Sequence, residues 1–114
     1  MILIVGSRAS GKLDYIRSLG YSEQAVAQGV LDQRPVLYGL QELVRPDPAG
    51  AGALLPQLLD KQVIACDEVG LGVIPLDPQE REYREAVGRL CVQLAQEADQ
   101  VLRLVCGIPQ TIKG

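Results

Sequence analysis

The sequence predicts an α/β protein with a mainly parallel sheet that has helices on both faces. Three observations support this prediction. The apolar run 2–5 leads directly into a glycine-rich loop that contains a lysine, and that loop opens a helical pattern. A second apolar run, 62–66, ends in acids and glycines. After Asp77, apolar residues recur at three- and four-residue steps, as one buried helix face requires. Strands that alternate with helices favour parallel pairing.

Composition limits the possible classes. With 114 residues, 47% of them hydrophobic, the chain is predicted to form one domain over 1–114. It has no Phe or Trp, so the core must be aliphatic. A net charge of -3 and 4% aromatic residues argue against nucleic-acid binding. No signal peptide and no membrane-length apolar run are evident, so we expect a cytoplasmic protein whose three cysteines are buried and reduced.

The individual elements follow from periodicity and from cap and stop residues. We predict strands at 2–5, at one of 30–31 and 35–38, at 62–66 and at 101–106. Helices are predicted at 12–19, 22–28, 40–44, 54–59 and from the cap at Asp77 to about Ala98. Leu13, Ile16 and Leu19 share one side of the first helix, and Ser22 can cap the second. Segment 45–50 is expected to be a mobile loop and 107–114 a short polar tail.

Asp77 is followed by Pro78 and, three residues later, by Glu80, which is a capping-box pattern. The helix behind it should bury one face. The residues of that face are Tyr83, Ala86, Val87, Leu90, Cys91, Leu94 and Ala98.

The most informative motif is Gly-x-x-x-x-Gly-Lys at residues 6–12. After a strand and before a helix, this spacing is typical of a phosphate-binding loop, and it makes the fold P-loop NTPase-like, with three α/β/α layers. Backbone amides would point at phosphate oxygens, and Lys12 would neutralise charge in the transition state. The predicted contacts are Gly6, Ser7, Arg8, Ala9, Ser10, Gly11, Lys12 and Leu13. The alternative is an ordinary tight strand-to-helix turn.

Metal binding is the uncertain part of this motif. The hydroxyl that normally follows the lysine and helps to hold Mg²⁺ is replaced by Leu13. Asp67 and Glu68, at the end of the second buried run, are candidate metal ligands, and Glu68 is also a candidate base for an attacking hydroxyl. These acids could instead hold their own loop. Asp14 is a weaker metal candidate.

Ligands of parallel sheets bind beyond the carboxyl ends of the strands, so loops 6–12 and 67–75 should converge there. In the second loop we expect Gly70, Gly72 and Pro75 to set the shape of the backbone. Arg84 and Arg89 on the long helix are candidate contacts for a polyphosphate or a substrate side chain, with solvated helix charges as the alternative.

A longer pattern gives a family resemblance. Asp67-Glu68-Val69-Gly70-Leu71-Gly72-Val73-Ile74-Pro75 is followed by Arg81-Glu82-Tyr83-Arg84, Gly88-Arg89, Ala98-Asp99 and Gly107-Ile108-Pro109 with Lys113. This order and spacing resembles the adenosylcobinamide kinase/adenosylcobinamide-phosphate guanylyltransferase family of cobalamin biosynthesis. The resemblance covers the first 15 residues and about 62–113.

The resemblance implies an activity. Family members phosphorylate the alcohol arm of adenosylcobinamide and then transfer GMP from GTP, so it implies ATP or GTP, Mg²⁺ and a corrinoid as ligands. Members also assemble, and exposed sheet edges would favour a homo-oligomer here. The family's second step uses a covalent guanylyl-histidine, and this chain has no histidine.

Other departures from the family pattern concern the site itself. Asp67 stands where the family has Asn, Cys91 and Val92 replace an Asn-Gln pair, and Arg103 interrupts an apolar strand. No acid-bearing strand is visible between 30 and 45. The leading expectation is a shortened, kinase-like phosphotransferase. The alternatives are a non-catalytic module that binds nucleotide or corrinoid, and a structural subunit whose loop binds nothing.

Overall fold

Six strands form one mainly parallel sheet in the computed structural model, which describes residues 1–69 and 77–114. The strand order is β2-β3-β4-β1-β5-β6, with β6 alone antiparallel to its neighbour. The strands are β1 Ile2–Gly6, β2 Val26–Gln28, β3 Val36–Tyr38, β4 Val63–Asp67, β5 Gln100–Val105 and β6 Ile108–Lys113. This arrangement confirms the predicted α/β fold class.

Helices cover both faces of the sheet. The α-helices are α1 Lys12–Ser18, α2 Leu40–Val44, α3 Leu55–Leu58 and α4 Pro78–Glu97, with 3₁₀ helices at Glu23–Ala25 and Pro48–Leu54. Because side chains alternate along a strand, Leu3 and Ile64 pack in one core with α2, α3 and α4. Ile4 and Ala65 pack in a second core with Ile16 of α1. Each fully buried Leu or Ile contributes about 1.5–3 kcal/mol.

The long helix α4 confirms the periodicity prediction. Six of the seven residues predicted for its inner face are buried, and Cys91 is half-buried. The Asp77 carboxylate accepts a 2.9 Å hydrogen bond from the Gln79 amide, as an N-cap should. Glu80, which the pattern predicts to complete a capping box, accepts a 2.7 Å hydrogen bond from Arg45.

Two predictions of the first half are wrong. Residues 22–28 hold a single 3₁₀ turn and then β2, because pairing of Val26 and Ala27 with β3 buries both side chains, whereas so short a helix is marginal by itself. Of the two candidate strands after it, 35–38 contains β3 and 30–31 is irregular. Segment 45–50 was predicted as loop, but Pro48 begins a 3₁₀ helix that packs on α4.

The C-terminal tail is also not a loop. Cys106 (φ 50°) and Gly107 (φ 77°) form a two-residue turn, and 108–113 pair with β5. Positive φ at both central residues is the geometry of a type I′ hairpin. The turn exposes Cys106, which was predicted to be buried, and Leu19 at the end of α1 is 41% exposed. Within the described residues, no helix is both long and apolar enough to span a bilayer.

Candidate phosphate-binding site

The two predicted loops leave the sheet at the same edge. Gly6 at the end of β1 is level with Asp67 at the end of the neighbouring strand β4, and the Glu68 amide donates to the Gly6 carbonyl at 2.8 Å. Loop 6–12 and residues 67–69 therefore adjoin, as the parallel topology predicts. The rest of the second predicted loop, including Gly70, Gly72 and Pro75, lies outside the described residues.

The backbone of loop 6–12 has the alternation of a phosphate cradle. Ala9 (φ 61°) and Gly11 (φ 94°) are left-handed, with Ser10 between them. Such alternation turns successive N–H groups toward one side and forms an anion-binding concavity. At the base of the loop, a Cβ on Gly6 would lie 2.8 Å from the Leu104 carbonyl oxygen, so only glycine fits there. Ser7, Arg8 and Ala9 are exposed.

Lys12 is turned into the loop rather than toward solvent. It is 2% exposed, and its Nζ donates to the carbonyls of Gly6 (3.2 Å) and Ser7 (2.8 Å) and to Ser10 Oγ (3.4 Å). The same ammonium lies 2.8 Å from Asp67 Oδ1. A buried ammonium needs such partners because the loss of hydration is costly. The side chain of Lys12 is thus removed from water and paired with the Asp67 carboxylate.

Asp67 is fixed from behind by α2. Its backbone N–H donates to the side-chain oxygen of Gln41 at 3.0 Å, and Gln41 is 7% exposed. The Asp67 side chain remains 24% exposed on the side of the loop. Gln41 was not singled out from the sequence, since a lone glutamine in a short helix carries no recognisable signal.

The β5–β6 turn packs closely against loop 6–12. The Gly107 N–H donates to the Ser10 carbonyl at 2.8 Å, and a Cβ on Gly11 would meet the Gly107 Cα at 3.1 Å. Sequence reasoning missed this contact because it assigned 107–114 to a tail. The available signal was Gly107 itself, a turn residue directly after the apolar run 101–106.

Glu68, the candidate base, is held in an ion pair. Arg103 of β5 donates to both its oxygens, at 2.6 and 3.2 Å. Glu68 is 16% exposed and Arg103 46% exposed. The hydrogen bond to Glu68 raises the pKa of Arg103 above its usual value. Arg103, the charged residue within the apolar strand β5, is therefore explained by its ion pair with Glu68.

Leu13 and Asp14 follow Lys12 in helix α1 and have different surroundings. Leu13 packs against the core under α1. Asp14 is 85% exposed and pairs with Arg17 at 3.1 Å. The Asp14 carboxylate is thus engaged by Arg17, and a metal role for it stays a prediction.

Arg84 and Arg89, the two arginines of α4 that were predicted to contact a ligand, pair with acids on their own helix. Arg84 lies 4.0 Å from Glu80 and Arg89 lies 3.9 Å from Glu85, each one turn earlier. Arg89 is 68% exposed. The exposure of Arg89 fits the alternative of a solvated helix charge, and contact of either arginine with phosphate or substrate stays a prediction.

The carboxylates fit Mg²⁺ only in part. Across residues 1–69 and 77–114, no three His, Cys, Asp or Glu side chains are grouped so that they could hold a metal ion by themselves. Mg²⁺ in phosphate sites commonly takes one or two carboxylates and completes its shell with phosphates and water. Asp67 could supply one such oxygen, while both Glu68 oxygens are engaged by Arg103.

The Cys66 thiol, next to the candidate site, is buried and unreactive. Cys66 precedes Asp67, is 1% exposed and donates to the Asp67 carbonyl at 3.3 Å. A hydrogen bond with Cys91 together with burial raises the pKa of Cys66 far above that of an ordinary thiol. A thiol that stays protonated is a poor nucleophile.

A cavity of about 220 Å³ opens beside the two acids and has a mainly apolar lining. Its walls are Val5, Asp67, Glu68, Val69, Val87, Gly88 and Cys91. A larger one of about 450 Å³ lies between the segment 45–49 and the first turns of α4. There Arg45 stacks 3.6 Å from the ring centroid of Tyr83, whose 3% exposure confirms the predicted core role.

Comparison with known proteins identifies the family through residues 44–112, a match that does not include loop 6–12. Residues 44–112, more than half of the chain, match the family model for cobinamide kinase / cobinamide phosphate guanyltransferase. The chain is 40% identical over 53 residues to the bifunctional adenosylcobalamin biosynthesis protein CobU of Salmonella typhimurium, and equally to CobU of Escherichia coli. It is 33% identical over 60 residues to the corresponding protein CobP of Pseudomonas aeruginosa.

These alignments cover 46–53% of this chain but only 29–35% of the relatives. They leave the activity of the longer relatives as a proposal for this chain. The family model, the order of elements and the converging loops agree, and the chain belongs to the cobinamide kinase / cobinamide phosphate guanyltransferase family of cobalamin biosynthesis.

Proposed function

We propose that this chain binds ATP or GTP at loop 6–12 and transfers the terminal phosphoryl group to the alcohol of a cobinamide-type corrinoid. The observation that carries the proposal is Lys12, a desolvated ammonium inside a loop with left-handed residues at positions 9 and 11. Fixed amide dipoles and one lysine charge are the groups that phosphoryl transfer needs around the migrating phosphate.

Asp67 and Glu68 would have separate roles, in metal binding and in proton transfer. Asp67, 2.8 Å from Lys12, would hold the Mg²⁺ that accompanies the nucleotide. Mg²⁺ would supply charge neutralisation between the phosphates when bound. Glu68, released from Arg103, would accept the proton of the attacking hydroxyl. The cavity of about 220 Å³ beside Glu68 is suited to the aliphatic arm of the substrate and too small for its ring system.

The direct test incubates the protein with ATP or GTP, Mg²⁺ and adenosylcobinamide and measures phosphorylated corrinoid. We expect product from wild type and a loss of about 100-fold or more in kcat for Glu68→Gln, the usual contribution of a general base. Glu85→Gln is the matched control, since it removes the same charge from an exposed position of α4. Absence of product with both nucleotides would contradict the kinase proposal.

A second candidate function is a nucleotide- or corrinoid-binding module without turnover. The ion pair of Glu68 with Arg103 and the apolar side chain at Leu13 favour it. This candidate predicts thermal stabilisation by nucleotide, its loss in Lys12→Met, and no phosphorylated corrinoid. The guanylyl transfer of the family is not proposed, because none of these 114 residues is a histidine.

We also propose self-association. Strand β6 is a sheet edge in which all six residues are exposed, and Ile108 and Ile112 are 70% and 58% exposed. An edge of this kind favours pairing with another chain. Sedimentation velocity of the wild type and of Ile112→Lys measures the effect.

A further inference from the structure

Asp67 lies against the cation that is proposed to hold the nucleotide, and this placement has a consequence for which form of the nucleotide can bind. We infer that Asp67, positioned by Gln41, is a counter-ion that makes loop 6–12 select a metal-loaded nucleoside triphosphate over the metal-free anion. The inference rests on the proposed function.

The first step is the state of Lys12. Its ammonium group has partners in the Gly6 and Ser7 carbonyls, in Ser10 Oγ and in Asp67, which is 2.8 Å away. A phosphate that enters the loop must therefore draw Lys12 away from a carboxylate. The positive charge of Lys12 is already balanced by the Asp67 carboxylate.

The second step is what remains when Lys12 turns to a phosphate. The Asp67 backbone cannot retreat, because its N–H donates to the buried Gln41 side chain and its strand is paired with β1, and this keeps the carboxylate beside the loop. A fixed carboxylate would then face a phosphate of the same sign in a partly desolvated place, where repulsion is poorly screened.

The third step is relief of that repulsion. A nucleotide that carries Mg²⁺ brings a replacement cation for Asp67, and a metal-free nucleotide does not. Asp67 would then trade Lys12 for the incoming cation, since carboxylate oxygen is a suitable ligand for it. Selectivity for the Mg²⁺-bound nucleotide would therefore depend on the Asp67 side chain and not on whether phosphoryl transfer follows.

The test is calorimetric titration of the intact protein with GTP and with ATP, each in excess Mg²⁺ and each in EDTA. For wild type we expect the metal-free form to bind at least about tenfold more weakly. In Asp67→Asn the metal-free affinity should rise until the two forms agree within about threefold. Asp14→Asn is the matched control, because it removes an exposed carboxylate that pairs with Arg17, and it should keep the wild-type ratio.

Equal affinity of wild type for both forms overturns the inference, as does an unchanged ratio in Asp67→Asn or an equal shift in Asp14→Asn. If Asp67→Asn fails to fold, the wild-type ratio and Gln41→Leu, which frees the strand end, still decide it; Gln41→Leu should lower the ratio. Failure of the proposed function would give a different result. In that case neither wild type nor any variant would give a binding heat with metal-free or Mg²⁺-bound nucleotide, and both proposals would be lost.

Discussion

Two buried lysines lie at opposite edges of the same sheet and differ in their partners and in the loops around them. Lys12 follows β1 at the carboxyl edge and Lys61 precedes β4 at the amino edge; they are 2% and 7% exposed. Lys61 donates to the backbone carbonyls of Asp32 and Arg34, the latter at 2.6 Å. Lys12 has a carboxylate among its partners, and its loop contains left-handed residues.

This difference distinguishes Lys61, which has a structural role, from Lys12, which we propose to bind phosphate. Backbone carbonyls hold Lys61 so that the segment before β3 is tied to the start of β4, and an incoming anion would have no carboxylate to displace. At Lys12 a carboxylate with 24% exposure is the partner that we propose to exchange one cation for another. Burial of a lysine alone therefore does not indicate function, and the feature that we propose to mark the functional lysine is a partly exposed counter-ion beside a loop with left-handed residues.

The largest expected stability effect tests how similar the two lysines are without ligand. Lys12→Met and Lys61→Met keep the aliphatic stem and remove the charge. Each should lower the free energy of unfolding by about 2 kcal/mol, because hydrogen bonds to charged groups contribute about 1.5–3 kcal/mol. Urea denaturation at constant pH measures both. A cost confined to one variant would contradict the shared structural role.

The next effect concerns crowding at the carboxyl edge. Gly11 and Gly20 are both left-handed, at φ 94° and 102°, but a Cβ meets Gly107 only at Gly11 and finds nothing within 4 Å at Gly20. Gly20→Ala should cost about 1 kcal/mol from backbone strain alone. Gly11→Ala should cost roughly twice as much as this strain, and equal melting temperatures would show that the β5–β6 turn does not press on the loop.

Leu13→Ser tests whether a hydroxyl after Lys12 improves metal binding at the carboxyl edge. The new hydroxyl should tighten binding of the Mg²⁺-loaded nucleotide severalfold, about half a kcal/mol or more by the usual conversion of affinity. Loss of the half-buried side chain should cost about 1 kcal/mol of stability. Titration and thermal melting of one preparation give both values. Leu59→Ser, a substitution of an exposed leucine elsewhere, should leave the affinity unchanged.

The smallest effect is a pH dependence at the amino edge. Hydrogen bonds from Arg34 lower the pKa of Asp32 from 3.8 to about 2. A depressed folded-state pKa gives stability that is present above the unfolded value and is lost as pH falls toward 2. The difference in melting temperature between wild type and Asp32→Asn should therefore be constant above pH 4 and shrink between about pH 4 and 2. A difference that persists at pH 2 would contradict the assignment.

The sequence was informative where local pattern and tertiary packing agree. The loop motif placed Lys12, and the three- and four-residue spacing placed the buried face of α4, because both depend on short-range geometry. Val26 and Ala27 were assigned to a helix since only pairing with β3 makes them a strand. The contacts of Arg103 with Glu68 and of Gln41 with Asp67 join residues 35 and 26 positions apart, which no local pattern encodes.

The central claim is that the edge with Lys12 binds nucleotide phosphate and the edge with Lys61 does not. Calorimetric titration of wild type, Lys12→Met and Lys61→Met with Mg²⁺–GTP and Mg²⁺–ATP tests it most directly. We predict saturable binding by wild type and Lys61→Met at similar affinity, with a loss of about tenfold to 100-fold in Lys12→Met, the value of a charged hydrogen bond to phosphate. Equal affinity of Lys12→Met and wild type, or no binding by wild type at millimolar nucleotide, would contradict the claim.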